Sequence, residues 1–305
     1  MPISERMLEM IKKAPPLHVT GIEAARRGLT AMSCMLPKVA FSGSIKEKVI
    51  TTFGQETLVR IYTPVSSGLL PLVMYMHGGG FVVGDLEYMD GACRLLAQTA
   101  GCIVVNVDYC LAPEHKFPEA LEECYNALKW IYDNATDFGA DAGKIAVAGD
   151  SAGANLGAAI CLLARERKEF SLVYQVLFYP VVDFASDIAA KFEGLPEILL
   201  NIEDLRWMSE LYFEDLNDAK KPQASPLLAE SLVGLPPATV ITAGIDPLAQ
   251  EGRMYAERLA TAGVEVFHKH FASMIHGFVG FVGRVEEANE AVVDAGKQLK
   301  KAFGC

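Results

Sequence analysis

Basic residues are in short supply: 27 Lys+Arg face 38 Asp+Glu in a chain of 305 residues, a formal net charge of −11. Nucleic-acid phosphates demand clustered Lys and Arg, so the acidic balance argues against a nucleic-acid partner. Cysteine is sparse and scattered, with seven residues at 34, 93, 102, 110, 124, 161 and 305 and no CxxC pair. A disulfide framework would be denser and even in number, and a zinc site would show short paired spacings. The thiols therefore read as reduced and mostly buried, in a soluble cytoplasmic protein with no metal or organic cofactor implied. Long apolar runs are missing as well. Residues 1–13 alternate charged and apolar side chains, unlike a signal peptide. The longest nearly apolar stretch, residues 152–164, is too short to span a bilayer and contains Asn155, so no membrane anchor is expected. No internal repeat or low-complexity tract is present.

What the chain does have is apolar content, 51% of its residues, enough for a large core and incompatible with disorder. Length alone allows two domains or one large α/β domain with insertions. Residues 1–43 read as two short amphipathic helices broken at Pro15-Pro16, with Met7, Met10 and Ile11, then Leu29, Met32 and Leu36, at helical spacing. A hairpin follows, 47–53 and 57–62 around Gly54-Gln55-Glu56. Short apolar runs at 72–76, 103–107, 144–148, 173–179, 239–243 and 264–271 then alternate with helical segments at 88–100, 118–134, 152–167 and 250–262, closed by a helix over 286–302. That alternation predicts a mainly parallel sheet, buried on both faces and flanked by helices. Residues 185–225 break the rhythm: they carry no strand signal and read as a helical insertion containing Phe192, Leu195, Ile198, Leu199, Leu205, Trp207, Met208, Leu211 and Phe213.

Three motifs carry chemistry. Gly149-Asp150-Ser151-Ala152-Gly153 is a GxSxG between a strand and a helix, the setting of a nucleophile elbow. Its glycines let strand and helix crowd a tight turn that lifts the serine Oγ, and the Ala152 N–H points to the same place from a helix N-terminus. His77-Gly78-Gly79-Gly80-Phe81 follows a strand directly, and its glycines free backbone N–H groups to approach a reacting carbonyl. No Gly-Lys-Thr follows to hold phosphate, and His77 reads as a brace for this loop.

The third motif is the serine's base and the carboxylate that orients it. In this kind of sheet the chain order is Ser, Asp or Glu, then His. Of the histidines after Ser151, His268 and His270 lie on one face of the last strand, whereas His276 falls in the loop beyond it. Asp246, directly after the 239–243 run, is favoured as the acid over Asp183 and Asp187, although with Pro247 behind it the same residue suits a helix N-cap. Asp150 reads as a brace for the elbow.

HGGGF, GDSAG, Asp246-Pro247-Leu248 and His276-Gly277-Phe278, in that order, resemble the hormone-sensitive-lipase family of α/β-hydrolase carboxylesterases. Residues 108–118, DYCLAPEHKFP, are similar to that family's YRLAPEHxFP signature. The resemblance runs from about residue 45 to 300. It implies an α/β-hydrolase fold and a Ser151–Asp246–His276 triad, with oxyanion N–H groups from Gly79, Gly80 and Ala152. It also implies a helical cap built from residues 1–43 and 185–225 over a core of 44–184 and 226–305. Cys110 departs from the pattern, standing where the family usually has arginine, which bears on ion pairing near Glu114 rather than on the triad.

The expected reaction is hydrolysis of a small-molecule ester through an acyl-enzyme. The apolar cap suggests short- to medium-chain substrates, with Phe81, Trp207, Leu211 and Ile275 as pocket candidates. Two rivals share the scaffold: an amidase such as an arylformamidase, and a small-ligand receptor of the kind that has lost the catalytic histidine, which His276 argues against. An exposed last strand would permit a homodimer.

Overall fold

The apolar runs become the centre of a sheet. The structure is a computed structural model that describes residues 15–52, 54–198 and 200–304. Among the described residues eight strands lie in the order β1-β2-β4-β3-β5-β6-β7-β8. They are β1 (Gly43–Thr52), β2 (Gln55–Pro64), β3 (Leu70–Met76), β4 (Ile103–Asp108), β5 (Ala140–Asp150), β6 (Tyr174–Phe178), β7 (Ala238–Ile245) and β8 (Val266–Ile275). From β4 to β8 all neighbours are parallel, while β1 and β2 join antiparallel at one edge.

Alternation along each strand divides the core into two layers. Leu72, Met74 and Met76 face one layer with α4 (Glu119–Asp133), α5 (Ala152–Arg167) and α8 (Ala249–Thr261). Val73 and Tyr75 face the other, with α3 (Asp90–Ala100) and α9 (Glu286–Ala302). The helix α5 is buried from Ala152 to Ala164, so it is clad on every side rather than amphipathic. Each Leu or Ile so enclosed contributes roughly 1.5–3 kcal/mol.

Two strand readings are corrected. Gln55 and Glu56, expected in the hairpin loop, pair with Thr52 and Thr51, because Gly54 at φ 84° permits a tighter reversal. The last strand extends to Ile275 rather than ending at 271, and it is not buried on both faces: as an edge strand it exposes His268, His270 and Ser273.

At the N-terminus, α1 (Leu17–Thr20) and α2 (Ile22–Cys34) are separated by Gly21 at φ 82°. The expected helix carrying Met7, Met10 and Ile11 lies outside the described residues, as does Leu199. Within 185–225 the described residues form α6 (Ile188–Lys191), α7 (Ile202–Tyr212) and a 3-10 turn at Leu216–Lys220, with no strand among them. The ends of this insertion are drawn together by Asn155, whose Nδ2 donates to Val181 O at 2.8 Å and to Ala224 O at 2.7 Å. Buried Asp204 of α7 accepts the His18 backbone N–H at 2.9 Å and meets His18 Nδ1 at 2.7 Å, joining α1 to the insertion. Among the described residues, no helix is long and apolar enough to cross a membrane.

Candidate active site

The sharp turn between β5 and α5 requires both of its glycines. A Cβ on Gly149 would sit 2.4 Å from the Gly153 carbonyl carbon, and one on Gly153 would sit 2.0 Å from Met76 O. Between them Ser151 adopts φ 52° and ψ −116°, a conformation rarely tolerated by a side-chain-bearing residue. Its backbone N–H donates to Phe178 O at 2.9 Å, which fixes the turn to β6.

Two loops at the carboxyl ends of other strands complete the arrangement. His276 follows β8 immediately, and its Nε2 lies 2.8 Å from Ser151 Oγ. Its Nδ1 lies 3.0 Å from Asp246 Oδ2. The other Asp246 oxygen, Oδ1, accepts the Leu248 N–H at 2.8 Å ahead of α8, so one carboxylate both punctuates the helix and holds the imidazole. The Tyr179 ring packs beside the imidazole, its centroid 4.8 Å from that of His276 and the planes 61° apart.

The competing acids are engaged elsewhere. Asp183 Oδ1 accepts the N–H groups of Ala185 and Ser186, and Asp187 caps α6 through the Ala189 N–H. His268 and His270 both meet Thr242 Oγ1 at 3.0 Å on the edge strand, 26 and 28 residues along the chain from it.

The glycine loop after β3 is shaped by close backbone packing. Gly79 (φ 113°) has no room for a Cβ, which would lie 2.0 Å from Val83 O. Gly80 (φ 61°) packs under Met208, whose Sδ would be 2.2 Å from a Cβ there. Among the described residues no acceptor takes the N–H of Gly79 or Gly80. Ala152 is the first residue of α5, where a backbone N–H has no intrahelical acceptor.

Beneath the loop, Asp150 Oδ1 accepts the Gly78 N–H at 2.9 Å and the Tyr75 hydroxyl at 3.1 Å. Burial pushes this carboxyl up to about 7, against the pull of those hydrogen bonds. His77 is fully enclosed, stacked on Tyr109 with centroids 4.3 Å apart, and its Nδ1 meets Gly78 O at 2.7 Å. Burial pushes it down to about 4, so the imidazole is neutral at pH 7 and its Nδ1–H donates to that carbonyl.

The pocket candidates are distributed differently. Phe81 is 1% exposed and lies flat on Tyr212, with ring centroids 3.8 Å apart and planes 5° from parallel. Ile275 is buried opposite Ile245 at the end of β8. Trp207 and Leu211 are half-buried beside Met208 and Tyr212, the two α7 residues that meet the glycine loop. Cys110 faces Glu123, which accepts its backbone N–H at 2.6 Å and the Thr57 hydroxyl at 2.5 Å. Glu114 pairs instead with Arg26 of α2.

The α/β-hydrolase fold family matches residues 73–280, well over half of the chain. The esterase LipI of Mycobacterium tuberculosis is 37% identical, with 95% of this chain and 92% of that protein aligned. The chain belongs to the hormone-sensitive-lipase-like α/β-hydrolase carboxylesterases. Solved esterases superpose over nearly their full lengths. An esterase of Pyrobaculum calidifontis is 39% identical at a TM-score of 0.89, covering 98% of this chain and 99% of that one. The ester-hydrolase EH1AB1 from the metagenome of Lake Arreo, complexed with a bipyridine phosphonate derivative, is 35% identical at a TM-score of 0.91, covering 100% and 99%. The protein is thus a carboxylic-ester hydrolase, and the receptor reading is set aside. For this esterase, Tyr212 and Arg26 carried no signal in the sequence, and Met208 stood out only as one apolar residue of the insertion, because their partners lie far along the chain.

Proposed function

We propose that Ser151, His276 and Asp246 hydrolyse short- to medium-chain carboxylic esters through an acyl-enzyme. The observation that carries this reading is the unbroken line from Asp246 Oδ2 to His276 Nδ1 at 3.0 Å and from His276 Nε2 to Ser151 Oγ at 2.8 Å. Ser151 Oγ attacks the ester carbonyl as His276 Nε2 takes its proton, and Asp246 holds the ring and stabilises the imidazolium. Negative charge gathers on the former carbonyl oxygen, where the N–H groups of Gly79, Gly80 and Ala152 stabilise it. As the tetrahedral centre collapses, His276 returns the proton to the departing alkoxide. Water then attacks the acyl-serine along the same route and releases the acid.

The N-terminal helices and residues 185–225 form a cap in this reading, with the core at 44–184 and 226–305. Met208 against Gly80 and Tyr212 against Phe81 bring the roof low over the glycine loop, which favours short acyl groups. The free thiols suit a cytoplasmic setting, and cell fractionation tests that.

A p-nitrophenyl ester series from acetate to palmitate, run on wild type and on Ser151→Ala, tests the assignment. Expected is a maximum at or below medium chain length and a loss of at least about 10⁴-fold in the variant. A Ser151→Ala protein that retains activity overturns it. Rising activity toward palmitate overturns the chain-length reading, and preference for a matching anilide overturns the ester reading.

A further inference from the structure

We propose that Arg26, on the N-terminal helix α2, is a positioning residue for the oxyanion loop. The inference rests on the ester-hydrolysis reading above and adds to it a residue outside the 73–280 span that the fold family matches.

The loop has to hold the Gly79 and Gly80 N–H groups still while Phe81, next in line, sits at φ 63°, where side-chain-bearing residues rarely stay unaided. Its carbonyls show what holds it. Gly79 O accepts the N–H groups of Val82 at 3.1 Å and Val83 at 3.0 Å. Phe81 O accepts the Ala112 N–H at 2.8 Å. The next carbonyl, Val82 O, accepts Arg26 Nε at 2.9 Å. The same guanidinium reaches Ala112 O through Nη2 at 2.9 Å, so it grips both the loop and the segment to which the loop is tied. Its far edge is clamped by Glu114, with Nη1 to Oε1 at 2.9 Å and Nη2 to Oε2 at 2.7 Å.

Arginine alone among the cations offers donors in a rigid planar fork, which lets one side chain serve two carbonyls and a carboxylate at once. One turn further along α2, Thr30 bonds Asp85, whose Oδ1 accepts the N–H groups of Glu87 and Tyr88 beyond the loop. Arg27, the adjacent arginine, is exposed and among the described residues pairs with exposed Glu23, at 3.3 Å within its own helix.

Removing Arg26 leaves Val82 O without its donor and frees the loop to relax from Phe81 toward Gly80. Oxyanion stabilisation depends on donors fixed before charge develops, so the loss falls on the transition state more than on substrate binding.

The test compares Arg26→Met, Arg26→Lys, Glu114→Gln and Arg27→Met in the full chain, with melting temperature, kcat and KM for p-nitrophenyl butyrate, and Ki for an alkyl trifluoromethyl ketone whose adduct carries an oxyanion. For Arg26→Met we expect kcat to fall about 10- to 100-fold with KM within about twofold, and Ki to rise in step. Arg26→Lys recovers part of the loss, methylguanidinium added to Arg26→Met recovers part of it, and Glu114→Gln loses a fewfold. Arg27→Met stays within about twofold.

The proposal is overturned if Arg26→Met keeps kcat and Ki within twofold, or if its loss appears only in KM or melting temperature. Should Arg26→Met not fold, unchanged kcat and Ki in both Arg26→Lys and Glu114→Gln overturn it equally. Failure of the underlying site reading is separate, since that shows as undiminished activity in Ser151→Ala.

Discussion

Around Gly149 and Gly153 backbone meets backbone with no room for a methyl group, whereas the N-terminal helix and the 185–225 insertion approach the glycine loop after β3 through side chains. In α2 only Ala25 is buried, and Arg26 keeps 28% of its side chain exposed while gripping the loop. In α5 every residue from Ala152 to Ala164 is enclosed. The elbow is held by steric exclusion, which is all or nothing, and the roof by hydrogen bonds and ring contacts, which come in increments. Changes to the first region should abolish function, and changes to the second should grade it.

The largest effect tests the chemistry that the elbow serves, without touching its packing. Asp246→Asn keeps the acceptor for the Leu248 N–H but presents the wrong partner to His276 Nδ1, so kcat should fall about 10⁴-fold with melting temperature nearly unchanged. A fall of less than tenfold would mean that another acid serves the imidazole. Next comes Gly153→Ala. With its Cβ 2.0 Å from Met76 O, the strand and helix must separate, and kcat should drop at least about 100-fold together with stability. Wild-type turnover in that variant would erase the contrast between the two regions.

In the roof, Tyr212→Ala removes the ring stacked on Phe81 and opens a cavity among Phe117, Phe184 and Phe213. Destabilisation of about 3 kcal/mol is expected, with kcat reduced severalfold rather than lost and the ester-length profile shifted toward longer acyl chains. Thermal melting and the p-nitrophenyl series measure both. A loss as deep as that of Gly153→Ala would show the roof to be as unforgiving as the elbow.

The smallest effect concerns pH. Burial raises the Asp150 carboxyl from 3.8 to about 7, so the folded state favours the neutral acid. The stability this provides is full below about pH 4 and is lost as pH rises through about 7. Asp150→Asn does not titrate, so its melting temperature should gain on wild type by a few degrees between pH 4 and 8. A difference that stays flat or reverses would place the carboxylate form in the folded protein.

Legibility in the sequence followed the same divide. The helix after Ser151 spans Ala152–Arg167 as its nearly apolar run implied, and the strand-end positions of Asp246 and His276 follow from β7 and β8. These features are local, set by what lies within a few residues. The end of β8 was obscured because the edge strand continues past Phe271 through exposed Ala272 and Ser273, which interrupt the apolar run. Arg26 meets Val82, Ala112 and Glu114 across 56, 86 and 88 residues, and nothing in the Ala25-Arg26-Arg27 neighbourhood distinguishes one arginine from the other. The same holds for Cys110, whose neighbour Glu123 is satisfied by a backbone N–H and by Thr57 from another strand.

Asn155 gives the insertion a further meaning. By fastening Val181 O and Ala224 O with one amide, four residues after the serine, it makes the chain leave and rejoin the core through a single doorway. The two carbonyls so held fix where the segment between them starts and where it ends. Because Met208 and Tyr212 of that segment rest on Gly80 and Phe81, transplanting the corresponding segment of a related esterase between the same posts would reset the floor of the site and its ester preference together.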